Sequence, residues 1–235
     1  MKNKYRIAGL IVAMDTFGMT QKRAIPYLCD NEQSEDITIV SYKETTMERH
    51  PELTEDMAEY LSTGTNFYLQ LLKYNGFMLH SSAVVVDGKA YLFTANSGTG
   101  KSTHTKLWLQ QFGDRAYILN DDKPAIRLID GKWYACGTPW SGKDDLSQNA
   151  CVELAGIAVL ERSIENEIEP YQGSKAVFDI FRQITRPKTY VWREVLMTLL
   201  GKLITEIPVW KLKCNVHIEA AQIAYNAMCV NQEEK

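Results

Sequence analysis

The stretch Ala95-Asn96-Ser97-Gly98-Thr99-Gly100-Lys101-Ser102-Thr103 constrains this chain more than any other. It follows Lys89–Thr94, an apolar run rich in β-formers, and precedes residues 103–111, which read as a helix with Leu107 available to a core. Strand, glycine-rich loop and helix form the arrangement in which a backbone cradles phosphate. Glycines let N–H groups turn inward with no Cβ in the way, and the helix start adds its positive end. Gly100, Lys101 and Ser102 match the end of a Walker A loop, whereas the first glycine of the strict pattern is replaced by Ala95 and Gly98 is additional. On this reading Ser97, Gly98, Thr99, Gly100, Lys101, Ser102 and Thr103 hold the phosphates of ATP. Lys101 reaches the β- and γ-phosphates, and the Ser102 hydroxyl ligates Mg²⁺.

Two further elements carry chemistry. Tyr117-Ile118-Leu119-Asn120-Asp121-Asp122 is an apolar strand that ends in two acids, about a helix length after Lys101. Such a strand can bring carboxylates to the edge where the loop lies, one to hold Mg²⁺ and one to take a proton from an attacking hydroxyl. Adjacent strand residues face opposite ways, so the two acids are not expected to share one job. His80 lies in Met78-Leu79-His80-Ser81-Ser82-Ala83, ahead of a hairpin turning at Asp87-Gly88. The hairpin folds it back beside the strand that feeds the loop.

Taken in order, His80-Ser81-Ser82-Ala83, the loop 97–103 and Asn120-Asp121-Asp122 resemble HPr kinase/phosphorylase and, more distantly, the nucleotide-binding part of ATP-dependent phosphoenolpyruvate carboxykinase. The resemblance covers about 77–139 and, more loosely, the rest to the C-terminus. It implies Lys101 and the loop on ATP phosphates, Ser102 on the metal, and Asp121 as the base towards a serine hydroxyl. His80 matches a histidine near the metal and the transferred phosphoryl group. The carboxykinases place the acid matching Asp121 on the metal instead, so the roles of Asp121 and Asp122 stay open here, with Asp122 taken as the metal ligand. The chain departs from the kinase/phosphorylase family in two respects. Val152-Glu153-Leu154-Ala155-Gly156 lacks the arginine of that family's signature, and the N-terminal region does not look like its separate domain. The chain is therefore similar to compact HPr-kinase-like proteins found beside modified-peptide biosynthesis systems, some of which phosphorylate a peptide serine.

The expected fold is α/β: a mixed, hairpin-rich sheet with a phosphate loop and packed helices. Strands are expected at 5–14, 37–42, 77–86, Lys89–Thr94, Ala116–Asn120, Ala125–Ile129, Lys132–Cys136, 151–160 and Val209–Cys214. Thr54 reads as the cap of a helix that Gly64 interrupts, and 31–36 and 43–52 read as irregular. Ser174 caps a helix burying Val177, Phe178, Phe181 and Ile184; further helices span 190–204 and 217–228. Residues 1–75 are expected as strands and a helix packed on a core of 76–235 that ends in helices.

Lys plus Arg number 26 against 29 Asp plus Glu, a net charge of −3, so no nucleic-acid surface is expected. No apolar run approaches the roughly 20 residues of a membrane span. The basic 1–6 and apolar 7–14 lead into Asp15 without a small-residue cleavage site, and read as a strand rather than a leader. Cys29, Cys136, Cys151, Cys214 and Cys229 are scattered with no CxxC pair, and read as reduced thiols of a cytoplasmic protein. Gly137-Thr138-Pro139-Trp140-Ser141-Gly142-Lys143 reads as a shaped loop near the active edge, in which Trp140 either stacks on adenine or packs in a structural turn, and Lys143 is available to neutralise phosphate. Arg182, Arg186, Lys188 and Arg193 form a basic cluster around Pro187. The expected activity is ATP-dependent phosphoryl transfer to a hydroxyl of a peptide, a protein or a small molecule. The alternative is a non-catalytic ATP-binding regulatory or scaffold module. A homo-oligomer stays open.

Overall fold

The computed structural model describes residues 2–30 and 33–230. Its N-terminal part is a three-stranded sheet, β1 (Asn3–Ile7), β2 (Leu10–Met14) and β3 (Ile37–Thr38), with helices α1 (Gly18–Ala24), α2 (Lys43–Arg49) and α3 (Glu55–Leu71). The single strand expected over 5–14 is a hairpin, because Ala8 and Gly9 both take positive φ and reverse the chain. The second expected strand shortens to two residues, and α2 occupies most of the stretch expected as irregular. Of the irregular stretch 31–36, Asn31 and Glu32 lie outside the described residues.

Thr54 caps α3 as expected, its hydroxyl accepting the Met57 N–H at 3.3 Å. Gly64 does not interrupt the helix. It is buried where a Cβ would stand 2.8 Å from the Trp140 ring, so the glycine serves close packing.

The rest of the chain builds a mixed sheet. Its strands are β4 (Gly76–Met78), β5 (Ser81–Val86), β6 (Lys89–Thr94), β7 (Ala116–Asn120), β8 (Ala125–Ile129), β9 (Lys132–Cys136), β10 (Cys151–Arg162), β11 (Glu167–Pro170) and β12 (Val209–Cys214). The main path runs β4-β8-β9-β10-β6-β5-β7, and β12 pairs with both β10 and β11. The hairpins at Asp87-Gly88 and Asp130-Gly131 form as expected, all four residues with positive φ. β10 joins two regimes: its first residues pair antiparallel with β9, and from Leu154, with a register shift before Gly156, it pairs parallel with β6 and then also with β12.

The central strands read as continuous apolar runs because both faces are covered. Ala83, Val85, Ala90, Leu92, Ile157 and Val159 face a core shared with α5 (Gly173–Phe181) and α6 (Tyr190–Glu206). Val84, Val86, Tyr91, Phe93, Ala158 and Leu160 face α4 (Lys101–Phe112) and α7 (Glu219–Val230). A third cluster packs α3 and β1–β3 on Met78, Ala125, Cys136 and Trp140. The α5 expectation is corrected: the residue at the N-cap is Gln172, without a side-chain bond, and Ala176, Ile180 and Ile184 are buried while Phe178 is exposed. The apolar face is carried by a smaller residue than the aromatic positions indicate.

The cysteine expectation is also corrected. Cys136 and Cys151 are register partners on β9 and β10 and form a disulfide, with Cα atoms 4.1 Å apart. Spacing in sequence did not reveal a pairing made by strand register, and the ground for expecting a reducing compartment is withdrawn. Among the described residues no helix is long and apolar enough to cross a membrane.

Candidate active site

Strand direction brings the three chemical elements to one sheet edge. β6 and β7 both run antiparallel to β5, so their C-terminal ends lie beside the start of β5. Ser81 pairs with Thr94, and His80 immediately precedes it. The loop leaves β6 at that edge and Asp121-Asp122 leave β7 there. Open α/β sheets bind ligands at the carboxyl ends of parallel strands.

The loop is shaped by two positive-φ glycines, Gly98 (+79°) and Gly100 (+118°), the latter at the N-cap of α4. Neither faces a steric obstacle to a Cβ, so the requirement is backbone conformation. Ala95 is not among the positive-φ residues, which explains why it can replace the first glycine of the strict pattern. The first N–H groups of α4 have no intrahelical acceptor and are donors for an anion. Lys101 is buried, and its ammonium donates to the Ala95 carbonyl at 3.1 Å. Burial lowers its pKa, against the pull of Asp122. Arg162, at the end of β10, holds the loop from outside: its Nε donates to the Thr99 carbonyl at 3.0 Å and a terminal nitrogen to that of Gly98.

The two acids, adjacent in sequence, occupy different surroundings. Asn120 sets the turn that parts them, its side-chain oxygen accepting the N–H groups of Asp122 (3.0 Å) and Lys123 (2.7 Å). Asp121 is buried and accepts the Gly142 N–H. Burial raises its pKa, opposed by that N–H and assisted by the charge of Asp122. Asp122 faces His80, with Nε2 and Oδ1 3.1 Å apart, and pairs with the Lys123 ammonium. Burial works against its charge, but these partners outweigh it and its pKa falls to about 2. The other ring nitrogen of His80 lies 3.0 Å from the Gln183 side-chain oxygen, and the Gln183 amide donates to Asn96 at 3.0 Å.

His80, Ser97, Gly98, Gly100, Lys101, Ser102, Thr103, Asp121 and Asp122 line one cleft of about 550 Å³ with Gly142, Lys143 and Asp144. Thr99 does not line it; it lines a neighbouring cleft of about 630 Å³ that shares Ser97 and Gly98 and includes Arg162, Arg182 and Gln183. Two further expectations narrow. Trp140 is fully buried, stacked on Phe67 with its indole N–H on the Thr63 hydroxyl, and cannot reach adenine. Within the basic cluster, Arg186 lies over the Phe181 ring and Arg193 donates to the Pro187 carbonyl, and only Arg182 lines either of these two clefts. In the sequence Gly142 stands only as part of a shaped loop near the active edge, signalled by the Gly-Thr-Pro-Trp-Ser-Gly-Lys composition, and there is no sign of Arg162 and Gln183.

Among the described residues no group of three or more His, Cys, Asp or Glu could hold a metal ion. Mg²⁺ in phosphate-loop sites needs less, since it keeps waters and takes phosphate oxygens with one hydroxyl or carboxylate. Ser102 and Asp122 in one cleft fit that smaller requirement.

No protein-family model matches this chain, and no curated protein sequence matches it. Among solved structures, the Hpr(Ser) kinase/phosphatase from Coxiella burnetii is similar at 13% identity, over 67% of this chain and 99% of that one, with a TM-score of 0.37.

Proposed function

We propose that this chain is an ATP-dependent kinase that moves the γ-phosphoryl group to a hydroxyl, with serine of a peptide or protein as the acceptor class. Residues 76–235 are its core, with 1–75 packed on it. The observation that carries the reading is the single cleft joining a phosphate-type loop at a helix start to two carboxylates in opposed environments. Bound phosphates would be met by the loop N–H groups and the Lys101 ammonium, which stabilise charge on the transferred group. Ser102 and Asp122 would hold Mg²⁺, which would neutralise phosphate charge. Asp122 suits that task because its pKa of about 2 keeps it ionised, and His80 orients it. Asp121 suits the base: burial moves its pKa upward, towards the range where a carboxylate accepts a proton effectively. Its carboxylate would take the acceptor's proton as the oxygen attacks phosphorus, and ADP would leave.

The test is mass spectrometry of candidate acceptors incubated with the protein, ATP and Mg²⁺. A gain of one phosphoryl group on a hydroxyl supports the reading. Tight ATP binding with no phosphorylated product across peptides, proteins and small alcohols would replace it with the non-catalytic nucleotide-binding module.

A further inference from the structure

The chemistry above leaves the first 75 residues without a task, yet two of their side chains reach the cleft wall. Arg23 of α1 has an 11% exposed side chain. Its two terminal nitrogens donate to the carbonyls of Ser141 (3.1 Å) and Gly142 (3.0 Å), and its Nε lies 3.1 Å from the Asp145 carboxylate. Tyr60 of α3 donates its hydroxyl to the same Ser141 carbonyl at 2.5 Å, and the guanidinium lies 5.2 Å from the Tyr60 ring centroid.

The Ser141 carbonyl and the Gly142 N–H are the two ends of one peptide group. That group is planar and trans, so its oxygen and its N–H point to opposite sides. The oxygen is gripped by Arg23 and Tyr60, and the N–H donates to Asp121. A rigid plane held at one end is aimed at the other. A cation on the oxygen also polarises the amide and strengthens its N–H as a donor. At the Asp121 end, a Cβ on Gly142 would stand 2.7 Å from the carboxylate, so the approach is as close as a backbone allows.

We propose that Arg23 is a positioning residue for phosphoryl transfer: through the Ser141–Gly142 peptide it fixes the Asp121 carboxylate to face the acceptor hydroxyl. The inference rests on Asp121 being the base. Only arginine suits the place, because a planar fork meets two carbonyls and a carboxylate at once whereas an ammonium is a point charge. The region 1–75 then contributes to catalysis by orienting a group that it does not touch.

The experiment compares wild type, Arg23→Ala, Arg23→Lys and Asp121→Asn by two measurements. One is amide hydrogen exchange at Gly142, with β5 and β6 as internal reference. The other is Mg²⁺-dependent ATP turnover with water as the acceptor. In Arg23→Ala, Gly142 exchange should accelerate about tenfold or more with β5 and β6 unchanged. The kcat should fall about 10- to 100-fold with KM for ATP within about twofold, the size expected from misplacing a reacting group. Added guanidinium ion should restore part of both, and Arg23→Lys should lie between. If Arg23→Ala does not fold, Arg23→Lys carries the same comparison. Unchanged Gly142 exchange, or acceleration shared equally with β5 and β6, overturns the proposal. A raised KM with unaltered kcat does so too. Full turnover in Asp121→Asn instead overturns the base assignment, whatever the exchange at Gly142.

Discussion

The two walls of the cleft are built by different means. The glycine-rich loop is shaped mainly by its own residues: Thr99 N–H returns to the Asn96 carbonyl, Lys101 returns to Ala95, and two glycines supply the backbone angles. The facing wall, around Ser141 and Gly142, is held by partners remote in sequence. Arg23 is 118 residues from Ser141, Tyr60 is 81 away, and Thr63 is 77 from Trp140. A wall of the first kind takes its turn from its own residues, with Arg162 and Gln183 bracing it from outside. One of the second kind exists only when three separate segments are correctly packed.

Substitutions should separate the two walls, and the largest effects belong to the chemistry itself. Lys101→Ala should lower ATP turnover about 10²- to 10³-fold by removing charge stabilisation, with thermal unfolding nearly unmoved. Asp121→Asn should cost about 10²- to 10⁴-fold in kcat with ATP affinity preserved, read by single-turnover transfer and calorimetric titration. Gly142→Ala tests the remote wall from inside the cleft: the new methyl meets the Asp121 carboxylate, and kcat should fall about 100-fold while the loop still binds nucleotide. Gly64→Ala tests it from behind. Its methyl collides with Trp140, and overpacking should cost about 1–3 kcal/mol in urea unfolding, with kcat falling only as the wall shifts.

The smallest effect concerns Glu59, buried in α3 with one carboxyl oxygen unpartnered and the other accepting the Thr20 hydroxyl. Burial raises its pKa. The unfolded chain gives up this proton at the ordinary carboxylate value and the folded chain only at higher pH. The stability contributed by the neutral acid is therefore full below the ordinary value and is lost as pH rises through the folded one. Glu59→Gln should raise the melting temperature by about a few degrees at neutral pH and lose that advantage on acidification. An equal gain at all pH values would remove burial of charge as the cause.

The same contrast explains what could be read without coordinates. The strand and helix flanking the glycine-rich loop, the Asp87-Gly88 and Asp130-Gly131 hairpins and the Ala116–Asn120 strand are written in adjacent residues, and each lies where the sequence indicates. Ala95 was legible as a departure, but its harmlessness needed the observed backbone angle. Arg23, Gln183 and the Cys136–Cys151 pair were invisible because strand register and tertiary docking bring them to their partners. Trp140 stayed between two readings, stacked on adenine or packed in a turn, for a related reason. Its loop composition marks a shaped turn, but only the packing of Phe67, Tyr68 and Gly64 around it decides that the ring faces inward.

That inward ring has a practical consequence. Trp140 is the residue before Ser141, sealed from water and stacked on Phe67. The indole is one residue from the peptide whose N–H meets Asp121. The molecule thus carries its own optical gauge: a change in tryptophan emission that vanishes in Trp140→Phe would report the state of the remote wall in real time, without a label.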